Sequence, residues 1–311
     1  MDRARIMTNL KNSFGLMSRA TLVLIIFTTV SLILSRIWLL GILPPGGADS
    51  FWLRLPTACA SILSVILTIL IIHKLTHERK LALLTGFFLA INPWHIEQSR
   101  VYSPAMVGLS VLLAGLLVTL FTKKTILKLA ISLPTLIGFY LVYPSFRLFG
   151  NFTIKLTLYE FLHNLFKLIS VDYLFFHNDS FWAGGFRTFG VLLVSTLPLF
   201  IAGLFYLVKN FNFAYIRWLI PFIIIWVIAA SNPMFPEQQE YFLITPYLTL
   251  ILAYGSLFFY QRFKSGNLFI KTILTVLIIF FMYEQVLFFH WYMIHYSNRI
   301  KNERLYETEA F

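Results

Sequence analysis

Nine long apolar runs divide this chain, and they restrict its fold more than any other feature of the sequence. They cover residues 20–43, 51–72, 81–92, 104–121, 126–143, 188–208, 216–231, 241–260 and 268–290. A helix needs about 20 apolar residues to cross a bilayer core of roughly 30 Å. Charged residues make up 12% of the 311 residues, whereas a soluble domain is about 25% charged. The pattern predicts an all-α, polytopic membrane protein of about nine transmembrane helices, a single domain over 1–311 with no separate soluble domain.

Basic residues are concentrated in alternate gaps between the runs. If the N-terminus is cytoplasmic, the inner segments hold 15 of the 25 Lys and Arg but only two, Asp2 and Glu78, of the 13 Asp and Glu. Lys and Arg in short loops mark the cytoplasmic side, so we expect the N-terminus inside and the C-terminus outside. The net charge of +12 therefore reports topology. A nucleic-acid partner is not expected, because it would require a basic, aromatic-rich face on a soluble surface.

The first run and the single cysteine exclude some further classes. The first run is longer than the core of a signal peptide, about 7 to 15 residues, and no small-residue cleavage site follows it, so a retained helix is favoured. Cys59 is the only cysteine, which excludes an internal disulfide, a cysteine zinc site and an iron–sulfur cluster. The inner loops are short, so any chemistry is expected on the outer side.

The first two outer segments carry candidate binding residues. Asp49 is the only carboxylate between the first and second runs, and it fits a solvated loop residue, a helix cap or a catalytic base. The segment 92–102 has two interpretations. In one, Trp94 and Tyr102 form an interfacial aromatic belt and Glu97 pairs with Arg100 at helical spacing. In the other, the same segment, with His95, Glu97, Arg100 and Tyr102, forms an anion site for a lipid phosphate, because a guanidinium matches phosphate oxygens.

The outer segment 144–187 predicts an amphipathic helix lying in the plane of the interface. Glu160, His163, Asn164 and Lys167 share one side of it, and apolar residues take the other. Such a helix anchors the chain or, in fewer proteins, lines a groove for a lipid substrate. His177 and Asp179 follow, and could contact a sugar hydroxyl or a metal. Because a metal site usually needs three or more protein ligands, no metal site is predicted.

Further acidic residues lie near the outer side. Glu237 and Glu240 flank two glutamines, an arrangement that suits carbohydrate hydroxyls but that orientation alone would also produce. Glu284 and Arg36 lie at similar depth inside the last and first runs, where charge is costly and often functional. We expect a structural pair between them that closes the first helix against the last. A proton-coupled transporter would favour several such residues and repeated halves, and neither is visible.

Several blocks of the sequence resemble bacterial members of the dolichyl-phosphate-mannose–protein mannosyltransferase superfamily. They occur in family order: Asn92-Pro93-Trp94-His95-Ile96 with Ser99-Arg100, then 171–179 running to Gly190 and 197–204, then 241–246 with Ala253-Tyr254-Gly255. The resemblance implies a GT-C fold, an integral-membrane glycosyltransferase of the bacterial cytoplasmic membrane, a polyprenyl-phosphate-linked sugar as donor and no cofactor. By position, Asp49 matches the first-loop acidic motif and Arg100 the second-loop Arg, a phosphate contact.

The chain departs from that family in its first outer loop. Family members have several dozen residues there, and only about ten intervene here. Two hypotheses follow. The chain is a reduced glycosyltransferase with Asp49 as base, or it is a non-catalytic GT-C-like membrane subunit that binds lipid or a protein partner.

Overall fold

The computed structural model describes residues 19–37, 51–142, 157–176, 190–209, 213–231, 239–265 and 268–296. Every regular element within these ranges is helical, and none is a strand. The all-α prediction is therefore confirmed for the described part of the chain.

Eleven α-helices form the described structure. They are α1 (Arg19–Ile37), α2 (Phe51–Thr76), α3 (Arg79–Ile91), α4 (Pro93–Arg100), α5 (Pro104–Phe121), α6 (Thr125–Val142), α7 (Leu158–Leu168), α8 (Leu197–Lys209), α9 (Phe213–Ala230), α10 (Thr245–Ser265) and α11 (Leu268–His290). Short 3-10 turns, Val194–Thr196 and Gln239–Ile244, precede α8 and α10, and single π-turns follow α7 and α11 at Asp172–Phe176 and Trp291–Tyr296.

Five of these helices are long and apolar enough to cross a membrane, as an integral membrane protein requires. They are α2, α5, α6, α10 and α11. The described residues also include shorter apolar helices at Leu24–Arg36, Val194–Lys209 and Ile220–Ala230. Each of the nine predicted runs overlaps a helix of the structure. The sixth run starts too early, because α8 begins only at Leu197, after the 3-10 turn.

Close packing of α8 against α10 forms the most extensive helix contact in the described bundle. Gly203 faces the carbonyl group of Ile251, and Gly255 faces the carbonyl group of Leu199, so that a Cβ at either glycine would overlap backbone atoms. Small residues allow helix backbones to approach in this way. α10 also packs on α3, and it is the most deeply buried of the five candidate spans.

The turns that follow α2 and α5 lie at one end of the bundle, together with the C-terminal part of α10. Lys74 Nζ lies 4.6 Å from the ring centre of Phe121, and Lys80 Nζ lies 5.7 Å from that of Tyr260. We call residues 73–80, 121–128 and 260–271 the basic end, since Glu78 is their only acidic residue.

Helix α7 begins with a reciprocal capping box. The Thr157 backbone N–H donates to Glu160 Oε2 (2.8 Å), and the Glu160 backbone N–H donates to Thr157 Oγ1 (3.2 Å). Asn164 Nδ2 donates to the Ala230 carbonyl at 3.2 Å and so ties the helix to α9. Leu158, Tyr159 and Phe166 remain exposed, so the helix turns large apolar side chains outward, as expected of a helix that faces lipid.

Candidate functional site

Helix α4 is short and polar, and all eight of its residues are buried. The local sequence favours the start of a helix here. Pro93 occupies the first turn, and the Asn92 side chain accepts a hydrogen bond from the His95 backbone N–H at 2.9 Å. His, Glu, Gln, Ser and Arg side chains are seldom fully buried unless they are paired. A buried helix of this composition therefore marks the candidate site.

The chain breaks between α3 and α4 at Asn92. This residue is extended, with φ −63° and ψ 126°, because the following proline disfavours the helical conformation. Two side chains satisfy polar groups at the break. Asn92 Nδ2 donates to the Val191 carbonyl at 2.8 Å, and Gln285 Nε2 donates to the Ile91 carbonyl at 3.3 Å. Helix α3 has 13 residues and is only about 20 Å long, so α3 and α4 together reach the length of one span.

The deeper part of the site lies near the middle of the bundle. Ser64 is 12 residues before the end of α2, and Ala90 is 11 residues after the start of α3. At 1.5 Å per residue, both lie about 17 Å from the basic end. Arg36 Nη1 donates to the Ala90 carbonyl at 2.5 Å, and Ser64 Oγ lies 3.0 Å from His95 Nε2. Polar groups at this depth are sealed from bulk water by the surrounding helices.

His95 is held by a guanidinium on one side and a hydroxyl on the other. Arg36 Nη2 lies 2.7 Å from His95 Nδ1. A guanidinium only donates, so Nδ1 must accept, and a neutral imidazole then carries its proton on Nε2. The imidazole is therefore neutral, and both of its nitrogens have protein partners.

Ser35 joins Arg36 to Arg100. The Ser35 Oγ accepts from Arg36 Nη1 and donates to the Ser31 carbonyl at 2.5 Å. The Ser35 carbonyl accepts from Arg100 Nη1 at 2.9 Å. Both guanidiniums are buried, at 0% and 1% exposure. One residue of α1 thus holds two buried cations from different helices.

Tyr292 brings the end of the last helix to the same group. The Arg100 guanidinium lies 5.8 Å from the centre of its ring. Burial raises the pKa of Tyr292 to about 12; Arg100 and Arg54 oppose that rise, and Glu97 adds to it. The phenol is therefore neutral and able to donate a hydrogen bond. Arg54 and Glu97 are themselves buried, at 7% and 5% exposure.

These residues define what we call the α4 cluster: Arg36, Arg54, His95, Glu97, Arg100 and Tyr292. With His95 and Tyr292 neutral, the cluster carries three guanidiniums and one carboxylate among the described residues. Burying charge is costly unless it is paired. An arrangement with excess positive charge in a water-poor site is suited to an anion, above all to the oxygens of a phosphate.

The predicted pair of Arg36 with Glu284 is wrong, because the structure gives each residue other partners. Glu284 Oε1 and Oε2 accept from the backbone N–H groups of Val194 and Ser195, each at 2.8 Å. Arg36 instead binds Ala90, Ser35 and His95. The Glu284 carboxylate lies at the start of the helical segment that leads into α8, where free amide groups attract negative charge.

The aromatic-belt interpretation fails for Trp94. This side chain is 3% exposed, and its ring packs edge-on against Phe242 at 5.4 Å, so it does not lie at a headgroup boundary. Tyr102 is 57% exposed and lies outside the α4 cluster. Of the other predicted residues, Asp49, His177, Asp179 and Glu237 lie outside the described residues, as does the side chain of Glu240.

The structure brings His95, Glu97 and Arg100 together, and it adds residues that the sequence analysis did not select. Arg54 and Tyr292 enter the cluster from α2 and from the π-turn after α11, and Ser35 and Ser64 provide its deeper polar contacts. Arg54 could have been selected from the sequence, because it is a lone cation three residues into an apolar run.

Comparisons of the chain with family models, curated proteins and solved structures give no match.

Proposed function

We propose that this chain is a GT-C-like membrane glycosyltransferase homologue that binds a polyprenyl-phosphate-linked sugar at the α4 cluster. It would transfer the sugar to an extracytoplasmic acceptor. The observation that supports this best is the burial of Arg36, Arg54 and Arg100 against a single carboxylate, Glu97, among the described residues. The proposal includes nine spans, with α3 and α4 forming one broken span, in a bacterial cytoplasmic membrane. The basic end would face the cytoplasm, in accord with the positive-inside rule, and the C-terminus would be extracytoplasmic.

The charge and dryness of the cluster suit a lipid phosphate. A guanidinium offers several donors in a fixed fork that matches phosphate oxygens, and such charge-assisted bonds are about twice as strong as neutral ones. Exclusion of water strengthens the attraction further. Exposed apolar side chains on α1 and α11, such as Leu34 and Val286, offer a surface on which a polyprenyl chain could lie beside the headgroup.

The transfer step follows from the resemblance to the mannosyltransferase superfamily. The bond between the sugar's anomeric carbon and the phosphate oxygen breaks, and the electron pair leaves with the phosphate, where the guanidiniums stabilise the charge. The acceptor oxygen forms the new bond, and its proton passes to a carboxylate. We assign that carboxylate to Asp49, which precedes Arg54 by five residues in the sequence.

A second candidate function is a non-catalytic membrane subunit that holds a lipid or a protein partner. The helix boundaries favour it, because α1 ends at Ile37 and α2 begins at Phe51. Only residues 38–50 remain where the resembling family carries its long acceptor loop. This candidate retains the phosphate site and lacks the transfer step.

A binding measurement tests whether the α4 cluster is a phosphate site. Purified protein in nanodiscs is titrated with a polyprenyl phosphate and with the uncharged polyprenol of equal length. We expect the phosphate to bind at least tenfold more tightly, and Arg100→Gln to lose about tenfold or more of that affinity, since one charge-assisted hydrogen bond contributes about 1.5–3 kcal/mol. The control is Lys123→Gln, an exposed cation of the basic end, which should bind as the unchanged chain does. Equal affinity for phosphate and alcohol would reject the proposal.

A transfer assay separates the two candidate functions. A radiolabelled sugar on polyprenyl phosphate is incubated with the protein in its native membrane, and Asp49→Asn is compared with the unchanged chain. Transfer that Asp49→Asn abolishes supports the enzyme with Asp49 as base. Phosphate binding without transfer, together with a stoichiometric protein that co-purifies, supports the subunit.

A further inference from the structure

We infer that His95 is a positioning residue, fixed in its Nε2–H form, that orients Arg36 and, through Ser35, Arg100. This assignment rests on the proposed phosphate site for its purpose, and it replaces the expected role of His95 as a substrate contact. A side chain whose two ring nitrogens are both occupied by protein partners has no polar atom left for a ligand.

The hydrogen bonds around His95 admit one consistent set of donors and acceptors. Arg36 Nη2 donates to Nδ1 at 2.7 Å, so Nε2 carries the proton and donates to Ser64 Oγ at 3.0 Å. Ser64 Oγ is then left to donate, and it does so to the Ser61 carbonyl at 2.8 Å. Each hydrogen bond in this series determines the donor and the acceptor of the next one.

Surrounding elements hold the ring in one orientation. The backbone N–H of His95 is anchored by Asn92 at 2.9 Å, and the ring stacks on Phe242 with centres 5.9 Å apart. The side chain is fully buried. The charged group that contacts it is Arg36 from α1. With no freedom to turn, His95 offers Arg36 an acceptor at a fixed point.

Arg36 transmits that fixed position to Arg100. One of its nitrogens, Nη1, contacts both Ser35 Oγ and the Ala90 carbonyl, while Nη2 reaches His95. The carbonyl of the same Ser35 accepts from Arg100 Nη1 at 2.9 Å. Loss of the acceptor on His95 would release Arg36 and loosen Ser35, and the Arg100 fork would lose its alignment.

A pair of variants with nearly the same shape tests the positioning role. Asn places an oxygen close to the position of Nδ1 and can accept from Arg36, whereas Leu has a similar shape and accepts nothing. We expect His95→Asn to bind a polyprenyl phosphate within about threefold of the unchanged chain and His95→Leu to bind it about tenfold less tightly, the effect of one misplaced charge-assisted bond. Equal affinity of both variants and the unchanged chain would overturn the inference.

Nitrogen NMR of labelled histidine tests the tautomer of His95 without any ligand. This test remains available even if His95→Leu does not fold or no phosphate binds. His95→Asn identifies the resonances of His95. We expect an unprotonated Nδ1 and a protonated Nε2 in the unchanged chain. The opposite tautomer in the unchanged chain would refute the inference. A correct tautomer with no phosphate binding would reject the proposed function alone.

Discussion

The carboxylate of Glu284 accepts a hydrogen bond from the backbone N–H of Ser195 at 2.8 Å, and a second one from Val194. A buried acid of α11 thereby holds the start of the segment that leads into α8. Its neighbour Gln285 donates to the Ile91 carbonyl at the end of α3. Adjacent residues of one helix thus satisfy amide groups at one helix start and a carbonyl group at another helix end, which accounts for polar residues at this depth.

Replacement of Glu284 by Gln should destabilise the protein. Gln keeps one acceptor and sets an NH₂ group against a backbone N–H, so one buried amide loses its partner. The expected loss is about 1–3 kcal/mol in the free energy of unfolding, measured by thermal or chemical unfolding in detergent micelles. Glu78→Gln is the control, because Glu78 is exposed and its side chain caps no helix. Equal stability of the two variants would contradict the role of Glu284.

Arg36 and Glu284 should act independently of each other. Because the two side chains have separate partners, the stability losses of Arg36→Gln and Glu284→Gln should add within about 0.5 kcal/mol in the double variant. A direct ion pair would instead give a coupling energy well above that value. The double-mutant cycle therefore distinguishes the observed arrangement from the Arg36–Glu284 ion pair, which was predicted from the similar depth of the two residues in their apolar runs.

Substitution of Gly203 by Ala should weaken the contact between α8 and α10. The added Cβ would overlap the Ile251 carbonyl, and overpacking of this kind costs about 1–3 kcal/mol. Gly138→Ala is the matched control. Its Cβ would lie 3.7 Å from Val111 Cγ1, an ordinary contact, and alanine favours a helix over glycine by about 1 kcal/mol. We expect a lower unfolding temperature for the first variant and an equal or higher one for the second; the reverse order would refute the close packing.

The start of α7 should depend on pH through Glu160. Hydrogen bonds from the Thr157 backbone and side chain lower the pKa of this exposed carboxyl. A lowered pKa in the folded state means that the stabilisation is present above the unfolded-state pKa and is lost as pH falls through the folded-state pKa. Carboxyl NMR titration should show the pKa of Glu160 moving back toward its usual value in Thr157→Val. Thr122→Val, whose hydroxyl donates to the Val118 carbonyl, should leave it unchanged.

The helices could be predicted from the sequence because an apolar run is a local property. Each of the nine runs overlaps a helix, and the amphipathic pattern around Glu160 coincides with α7. The start of α8 could not be predicted from composition, since residues 190–194 continue the apolar run but lie before the helix, and the amide groups of Val194 and Ser195 bind Glu284. Apolar composition marks burial and does not distinguish a helix from a buried turn.

The site was predictable only in part. The residues of the 92–102 segment could be selected because they are polar and close in sequence, and the structure places His95, Glu97 and Arg100 in one buried cluster. The partners of Arg36 and Glu284 could not be deduced, because most of them are backbone groups of residues such as Ala90 and Val194, and any sequence supplies those. Tyr292 contributes through a helix that is distant in the chain.

The break at Asn92 also has a consequence for biosynthesis. Helix α3 alone is too short to cross a bilayer, and α4 is too polar to enter lipid on hydrophobicity, so residues 79–100 form a poor membrane-insertion signal. The groups that close the break come later in the chain: Val191 follows Asn92 by 99 residues, and Gln285 follows Ile91 by 194. If α3 and α4 form one broken span, as proposed, that span gains its full set of contacts only after the last helix has been synthesised, and we expect a chain truncated before α11 to leave it exposed to membrane quality-control proteases.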